Sequence, residues 1–388
     1  LQIREGWAGF EGTNDWGITT YNIFNQLVKR WDNTRLTTVA MFPARAGAIT
    51  RHDKEFNDYL VPPELACATE VASFNYQSDK YDAYLKYKPD LILFQSEAET
   101  SNLLQPYYNM DRKRTVGMAY WGSAEYWGES NKWPKKGWNY SFFDHTMRPY
   151  PQAYLIKSAF MPEIPEVHIG VVDAAGAESV SWNDVIVGRM ALNECWNHTP
   201  GSRQSLFTFT NAHSVELLVN GQSMGVQEND TTQANLRNMI YWKDVPYGNG
   251  GSVVAIARDK SGKEVARHHI ETAGKAVALR IEAETPADWK ADGMDLQYIN
   301  VTAIDKKGRP VWDYNKPLTL QMEGAAWLVA LDNGDHYTDE LFHGITSKRM
   351  YQGRMQIILR STKTPSNVKL EISSADLKEK LSLKTSLK

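Results

Sequence analysis

The order of predicted segments changes near residue 163, and this change is the strongest constraint on the fold. Before it, helix-like and strand-like segments alternate, and after it, strand-like runs follow one another without helices. Strands that alternate with helices form parallel sheets, whereas successive short strands form antiparallel sandwiches or barrels. We therefore expect an α/β region followed by an all-β region.

The first region, residues 1–163, is predicted to contain four strands. Helices are predicted over 79–88 and 150–160, and Thr13 or Asn14 can cap a further helix near the start. The strands are continuous apolar runs, as is typical of buried parallel strands. They are predicted over 35–42, 68–76, 90–97 and 114–122.

Two all-β regions are predicted beyond this point, over residues 164–275 and 276–388. Asn-Gly at 220–221 and Ser-Gly at 261–262 separate alternating runs, which indicates hairpins. Each region has the length of an immunoglobulin-like β-sandwich, about a hundred residues. The last dozen residues are rich in lysine and are expected to fray.

Composition excludes several classes of function. The net charge of −3 gives no reason to expect nucleic acid or an acidic membrane surface as a partner. No apolar run approaches the roughly 18 residues of a membrane span. The two cysteines, Cys67 and Cys195, form neither a disulfide framework nor a metal knuckle. The 13 Trp, 19 Tyr and 12 Phe suit either ordinary cores or stacking on sugar rings.

Polar side chains follow three of the predicted parallel strands. Glu97 and Glu99 follow the apolar run Leu-Ile-Leu-Phe, Asn75 and Tyr76 follow the strand before it, and Trp121 follows the strand after it. In (β/α) barrels the active site lies at the carboxyl ends of the strands. Acids, an amide, a phenol and an indole at one rim would suit a sugar. The simpler interpretation is that the two acids begin a solvated loop.

These strand ends resemble glycoside hydrolase family 2, the β-galactosidase and β-glucuronidase group. "LILFQSEAETSN" resembles the seventh barrel strand of that family, in which a Ser-Glu or similar pair ends the strand, as Ser96-Glu97 does here. "VGMAYWGSAEYWGES" resembles the eighth strand and its loop, with Glu125 in place of the usual Asp. "ASFNYQ" is similar to the sixth strand. "VELLVNGQSMG" and "ALDNGD" are similar to the sandwiches that follow the barrel.

The resemblance implies a fold, an activity and site residues. The fold would be half of a (β/α)8 TIM barrel followed by two immunoglobulin-like β-sandwiches. The activity would be that of a retaining exo-β-glycosidase acting on terminal β-galactosides, with no cofactor. Glu97 would be the nucleophile, and Asn75, Tyr76 and Trp121 would bind the substrate. Glu99 would be a loop residue or would support the nucleophile.

The second carboxyl group that a retaining glycosidase needs is not found at its usual place. In the family it belongs to an Asn-Glu pair at the end of strand four. The one such pair here, Asn193-Glu194, lies in the predicted first sandwich and is interpreted as structural. We therefore expect the acid/base upstream of residue 1, and expect these 388 residues to be the C-terminal portion of a larger enzyme and inactive alone.

Two alternatives stay open at this point. A β-glucuronidase of the same family would need a clamp for the sugar carboxylate, for which Arg45 or Lys132 are candidates. A protein without activity would carry carbohydrate-binding or spacer modules and a relic half-barrel. Resemblance to bacterial polysaccharide-degrading members also implies a periplasmic or secreted protein.

Other motifs are assigned to structure. Residues 221–225 fit the Gly-x-Ser-x-Gly pattern, but that motif needs a strand–turn–helix and is here placed in a hairpin. The acids of 333–340 lack the spacing of a calcium loop and are interpreted as a turn. His198 and His268 have no partners at metal-ligand spacing, so no metal site is predicted.

Overall fold

A computed structural model describes residues 16–41, 62–98, 103–130, 132–173, 178–182 and 185–387 of the chain. It divides into two compact units. The first unit consists of Leu1–Ser123, Ala175–Ala191 and Asp230–Arg237, and the second of Ala124–Ala174, Leu192–Asn229 and Asn238–Lys388. This division places 124–163 with the later strands and does not test the predicted boundaries at 163 and 275.

The strands in the described ranges are numbered in chain order. They are β1 Thr38–Met41, β2 Val71–Asn75, β3 Leu93–Ala98, β4 Thr115–Tyr120, β5 Tyr126–Trp127, β6 Gly137–Trp138, β7 Val167–Val172, β8 Glu178–Trp182, β9 Val185–Arg189, β10 Leu192–Asn193, β11 Arg203–Thr210, β12 Ser214–Val219, β13 Gln222–Glu228, β14 Met239–Pro246, β15 Ser252–Arg258, β16 Glu264–Glu271, β17 Ala278–Ala283, β18 Leu296–Ile304, β19 Pro317–Glu323, β20 Ala326–Asp332, β21 Ser347–Arg349, β22 Arg354–Ser361, β23 Asn367–Ser374 and β24 Leu377–Lys384.

Helices are fewer than strands in the described ranges and belong mainly to the first unit. They are Trp16–Lys29, Glu64–Ala68, Tyr81–Tyr87, Gln105–Asn109 and Pro151–Phe160, with a 3-10 turn at Ser78–Lys80. None of the helices in the described ranges has the length and apolar character needed to cross a membrane. The predicted caps Thr13 and Asn14 lie outside the described residues.

The first unit contains a parallel sheet in the order β1-β2-β3-β4, which confirms the four predicted strands. Phe74 in β2 is fully buried and packs against Tyr81 and Tyr84, with ring centroids 5.9 and 5.0 Å apart. The two tyrosines stand three residues apart on the helix Tyr81–Tyr87, so they share one face of it. The helix predicted over 79–88 is thereby confirmed.

The second unit contains two pairs of antiparallel sheets. The first sheet pair consists of the sheets β10-β7-β11-β14 and β13-β12-β15-β16. Apolar side chains from both of its sheets, such as Ile169 and Leu217, form one core. Strands β12 and β13 pair across residues 220–221, and β15 and β16 pair across 261–262, so both predicted hairpins are confirmed.

The second sheet pair consists of β17-β18-β22-β20 and β21-β19-β23-β24, again around one core. Strand β24 is paired with β23 along its whole length, from Asn367–Lys384 to Ser374–Leu377. The expectation that the last dozen residues fray was therefore wrong for 377–384. Leucines alternate with polar residues there, and Leu383 is buried in the core. This period of two is a strand signal that the lysine content obscured.

Residues 124–150 form a largely irregular segment of the second unit, here called the 124–150 segment. It contacts the second sheet pair through polar groups. The amide of Lys136 donates to the carbonyl of His336 at 3.1 Å. The side-chain amide of Gln356 donates to the carbonyl of Thr146, also at 3.1 Å. These bonds connect the segment, which carries the two-stranded sheet β5-β6, to the turn after β20 and to β22.

Candidate functional site

The carboxyl ends of β2 and β3 lie side by side in the first unit. Asn75 is the last residue of β2 and is paired with Glu97 in the ladder. The register shifts between Phe74 and Asn75, so two residues of β3 face one residue of β2 there. Such a bulge re-aims side chains at the end of a strand and is frequent next to active sites.

Asn75 and Ser96 form a side-chain hydrogen bond across these two strands. The Ser96 hydroxyl donates to Oδ1 of Asn75 at 2.8 Å. Asn75 is only 2% exposed. A buried amide without a partner would be unfavourable by about 1–3 kcal/mol, so this bond fixes the orientation of the Asn75 amide.

Tyr76 is held next to Glu97 by its backbone. Its amide donates to the carbonyl of Glu97 at 2.8 Å. Its φ is +58°, which is unusual for a bulky residue and stores strain. Immediately after β4, the amide of Trp121 donates to the carbonyl of Ala98 at 2.9 Å. Backbone hydrogen bonds thus bring the chain at Tyr76, Glu97 and Trp121 to one edge of the sheet.

Four of the predicted site residues, Asn75, Tyr76, Glu97 and Trp121, therefore lie at the same edge. Glu99 and Arg45 lie outside the described residues. Lys132 is an exposed residue of the second unit. The sequence did not predict the bond between Ser96 and Asn75, although both are polar residues at the end of apolar runs.

This edge combines groups that suit a polyhydroxylated ring. A carboxylate, a primary amide, a phenol and an indole belong to four residues on three neighbouring strand ends. Polar groups of this kind fix the orientation of a ligand, while aromatic faces contact its apolar surface.

Two motifs that were predicted to be turns rather than functional sites do lie in turns. Residues 221–225 lie in the β12–β13 hairpin and enter β13, so the strand–turn–helix context of a serine nucleophile is missing there. Residues 333–340 form the turn after β20. In that turn the amide of Tyr337 donates to Oδ1 of Asp335 at 2.8 Å.

The fold brings together histidines and carboxylates that are far apart in sequence. One group is His168, Glu194 and His268 in the first sheet pair. His168 Nε2 lies 2.7 Å from the Glu194 carboxylate, and the rings of His168 and His268 stack at 3.9 Å. Burial, together with the nearby His168, lowers the pKa of His268 to about 4. Glu194, predicted to be structural, is therefore the ion-pair partner of a buried histidine.

A second group is formed by Glu125, His145 and His336 in the second unit. The lack of metal-ligand spacing in the sequence gave no sign of either group, because their members come from separate segments. Burial by itself lowers the pKa of His145, but the hydrogen bond with Asp332 and the nearby Glu125 carboxylate outweigh it and raise the pKa to about 9.

Comparison with protein families gives two matches, both in the all-β part of the chain. Residues 279–381 match the model described as glycoside hydrolase family 2 C-terminal domain 5. Residues 201–266 match a domain of unknown function (DUF4982). The matches lie within the second and the first sheet pair, respectively.

Comparison with individual proteins identifies glycosidases. The β-galactosidase BoGH2A of Bacteroides ovatus is 29% identical over 245 residues, which cover 61% of this chain and 27% of that protein. A β-glucuronidase of Formosa agariphila is 26% identical over 168 residues, 43% of this chain and 14% of that protein. The chain thus spans only part of the length of these relatives.

A solved structure shares the fold along most of the chain. It belongs to a glycosyl hydrolase family 2 member from Bacteroides cellulosilyticus. The TM-score is 0.81 at 22% identity, with 96% of this chain and 48% of that chain covered. The mostly β architecture with a few helices is therefore one that this family adopts.

Proposed function

Since this chain belongs to glycoside hydrolase family 2 and carries its C-terminal region, we propose that it forms part of a retaining exo-β-glycosidase. In this proposal β1–β4 are half of the (β/α)8 barrel, and the two sheet pairs are immunoglobulin-like sandwiches. The substrate is a glycan with terminal β-galactosides, in keeping with the name of the Bacteroides ovatus relative.

Glu97 is the proposed nucleophile. The observation that carries this assignment is the arrangement at the sheet edge, where Glu97 is paired with Asn75 and its carbonyl accepts the amide of Tyr76. A retaining glycosidase needs one carboxylate that attacks the anomeric carbon to form a glycosyl-enzyme. An ionised nucleophile is favoured by polar neighbours, and Ser96 and Asn75 supply them at this edge.

The other groups of the edge have proposed roles in binding. The phenol of Tyr76 hydrogen-bonds the nucleophile or the sugar ring. The indole of Trp121 forms an apolar wall against the ring, and the oriented amide of Asn75 binds a hydroxyl group. The acid/base, a second carboxyl group about 5 Å from the first, lies outside these 388 residues. The chain alone is then inactive.

A test on the intact protein that contains this chain uses two matched variants. Glu97→Gln removes the nucleophile and is expected to lower kcat on an aryl β-galactoside by about 10³-fold or more. Glu99→Gln removes an acid two positions further and is expected to retain most of the activity. The proposal is wrong if Glu99→Gln is the variant that abolishes turnover.

The covalent intermediate provides a second and independent measurement. A β-galactoside with fluorine at C2 and a good leaving group forms the glycosyl-enzyme but hydrolyses slowly, because the fluorine destabilises the oxocarbenium-like transition state. Mass spectrometry of peptides is expected to find the added sugar on Glu97. A sugar attached to another residue, or none, contradicts the assignment.

The sugar specificity has one named alternative. The Formosa agariphila relative is a β-glucuronidase, so the same assay should be run with an aryl β-glucuronide. A higher kcat/KM for the glucuronide would replace the galactoside in the proposal and leave Glu97 as nucleophile. Glycan binding by the intact protein without turnover of any β-glycoside would instead favour a non-catalytic binding role.

A further inference from the structure

Three side chains of metal-ligating type meet in the second unit. Glu125 comes from the start of the 124–150 segment, His145 from near its end, and His336 from the turn after β20. Oε2 of Glu125 lies 3.0 Å from Nε2 of His336 and 3.9 Å from Nδ1 of His145. The three ligand atoms all lie within 4.8 Å of one another.

The histidines are buried with nitrogen atoms that lack hydrogen bonds. His336 is 4% exposed. Within the described part of the chain, neither ring nitrogen of His336 nor Nδ1 of His145 forms a hydrogen bond of acceptable geometry, although Oε2 of Glu125 lies 3.0 Å from Nε2 of His336. Such groups are rare because each is unfavourable by about 1–3 kcal/mol. Since Nε2 of His336 and Nδ1 of His145 both lie within 4 Å of the Glu125 carboxylate, one cation between the three groups would satisfy these two nitrogens together.

Neighbouring side chains fix the orientation of His145 and Glu125. Nε2 of His145 lies 2.8 Å from Oδ1 of Asp332, which orients the ring with Nδ1 towards Glu125. The Tyr150 hydroxyl donates to Oε1 of Glu125 at 3.0 Å, so Oε2 is the oxygen directed at the histidines. Carboxylate–histidine pairs of this kind are the usual support around protein-bound zinc.

Aromatic rings close the surroundings of the cluster. The Trp127 ring lies 4.8 Å from the His145 ring and 4.9 Å from the His336 ring, between centroids. The Phe342 ring lies 5.0 Å from the Trp127 ring and 6.2 Å from the His145 ring. Apolar rings of this kind lower the local polarity, which strengthens the attraction between a carboxylate and a cation.

We propose that Glu125, His145 and His336 bind one zinc ion that ties the 124–150 segment to the second sheet pair. Two imidazoles and one carboxylate suit zinc and similar transition metals, whereas magnesium and calcium prefer oxygen ligands. Tetrahedral coordination with zinc–ligand bonds of about 2.0–2.2 Å places ligand atoms about 3.4 Å apart. That value lies between the 3.0 and 3.9 Å that separate Oε2 of Glu125 from the two histidine nitrogens. The fourth position is open to water.

The second histidine group is a weaker candidate. Its nitrogens are used within the protein, since His168 Nε2 contacts Glu194 and Nδ1 of His268 accepts the amide of Ile169 at 3.0 Å. The rings of Tyr154 and His168 also stack at 3.5 Å. We therefore interpret this group as part of the packed core rather than as a set of metal ligands.

The experiment uses the intact protein after treatment with a chelator. Zinc chloride is titrated by calorimetry, with magnesium chloride as the control cation, and bound metal is counted by elemental analysis. His336→Ala is expected to bind one zinc ion fewer per chain than the unchanged protein. His343→Ala removes an exposed histidine seven residues further and is expected to bind as much as the unchanged protein.

Thermal unfolding and X-ray absorption provide two further tests of the zinc site. Zinc is expected to raise the unfolding temperature of the unchanged protein and of His343→Ala by several degrees, and to leave His336→Ala unchanged. X-ray absorption of the zinc-loaded protein should show two imidazoles, a reading that holds even if His336→Ala fails to fold. Equal zinc binding in all variants, equal binding of magnesium, or the absence of imidazole scattering overturns the proposal.

Discussion

Two turns of the second unit have nearly the same sequence but different surroundings. Residues 259–263 read Asp-Lys-Ser-Gly-Lys and connect β15 to β16, and residues 305–309 read Asp-Lys-Lys-Gly-Arg and follow β18. In both, the aspartate carboxylate accepts the amides two and four residues further. The distances are 2.8 and 3.1 Å in the first turn and 2.8 and 3.0 Å in the second. The local sequence therefore determines the same turn twice.

The difference lies in what else the second aspartate contacts. Asp305 is 2% exposed and also accepts the amide of Gly274 at 2.8 Å and Nε of Arg309 at 2.7 Å. Arg309 in turn contacts Glu271, the last residue of β16, at 2.6 Å. This turn thus connects the first sheet pair, the connection after it and the second sheet pair. A local motif acquires a tertiary role only through its neighbours.

The largest effect is expected when the carboxylate is removed. Asp305→Ala leaves a guanidinium and several amides without their acceptor and is expected to lower the free energy of unfolding by about 3 kcal/mol. Asp259→Ala removes the same local bonds from an outer turn and is expected to have a much smaller effect. Chemical unfolding monitored by fluorescence measures both, and equal losses would mean that the tertiary contacts of Asp305 contribute nothing.

The carboxylate of Asp305 is also expected to make the stability of the protein depend on pH in the acid range. Burial alone would raise the pKa of Asp305, but hydrogen bonds from Arg309 and from backbone amides hold it well below its ordinary value. A depressed carboxyl pKa gives stability that is complete above the unfolded value of about 4 and is lost as the pH falls below it. Asp305→Asn should flatten the loss of stability between pH 4 and pH 2, and an unchanged slope would contradict this assignment.

The smallest difference is expected at the glycines. Gly262 and Gly308 have φ of +84° and +79°, and a Cβ at either would meet no atom within 4 Å. Alanine is then unfavourable only because of the backbone conformation, by about 1 kcal/mol at each position. Similar shifts of the unfolding midpoint are expected for Gly262→Ala and Gly308→Ala. A much larger loss at Gly308 would show that this turn is also strained by its surroundings.

The sequence predicted most of what depends on neighbours along the chain. The parallel strands, the hairpins at 220–221 and 261–262 and the helix near residues 81–87 follow from local periodicity and turn chemistry. The common position of Asn75 and Glu97 at one edge also follows, because parallel strands end on the same side.

Contacts between distant segments could not be predicted in this way. The group of Glu125, His145 and His336 spans more than two hundred residues, and no spacing rule connects its members. The bond from Ser96 to Asn75 depends on a register shift that periodicity does not encode. Strand β24 was missed for another reason, since its charged outer residues obscured the alternation of its leucines.

The positive φ of Tyr76 has a consequence for attempts to engineer this protein. Glycine or asparagine adopts that conformation with less strain than a bulky residue. A library screened for heat resistance would therefore favour them at position 76 and discard the phenol that we place beside the nucleophile. Selection for stability would favour glycine or asparagine at this position, whereas selection for turnover would favour tyrosine. A redesign should therefore keep Tyr76 and change other positions.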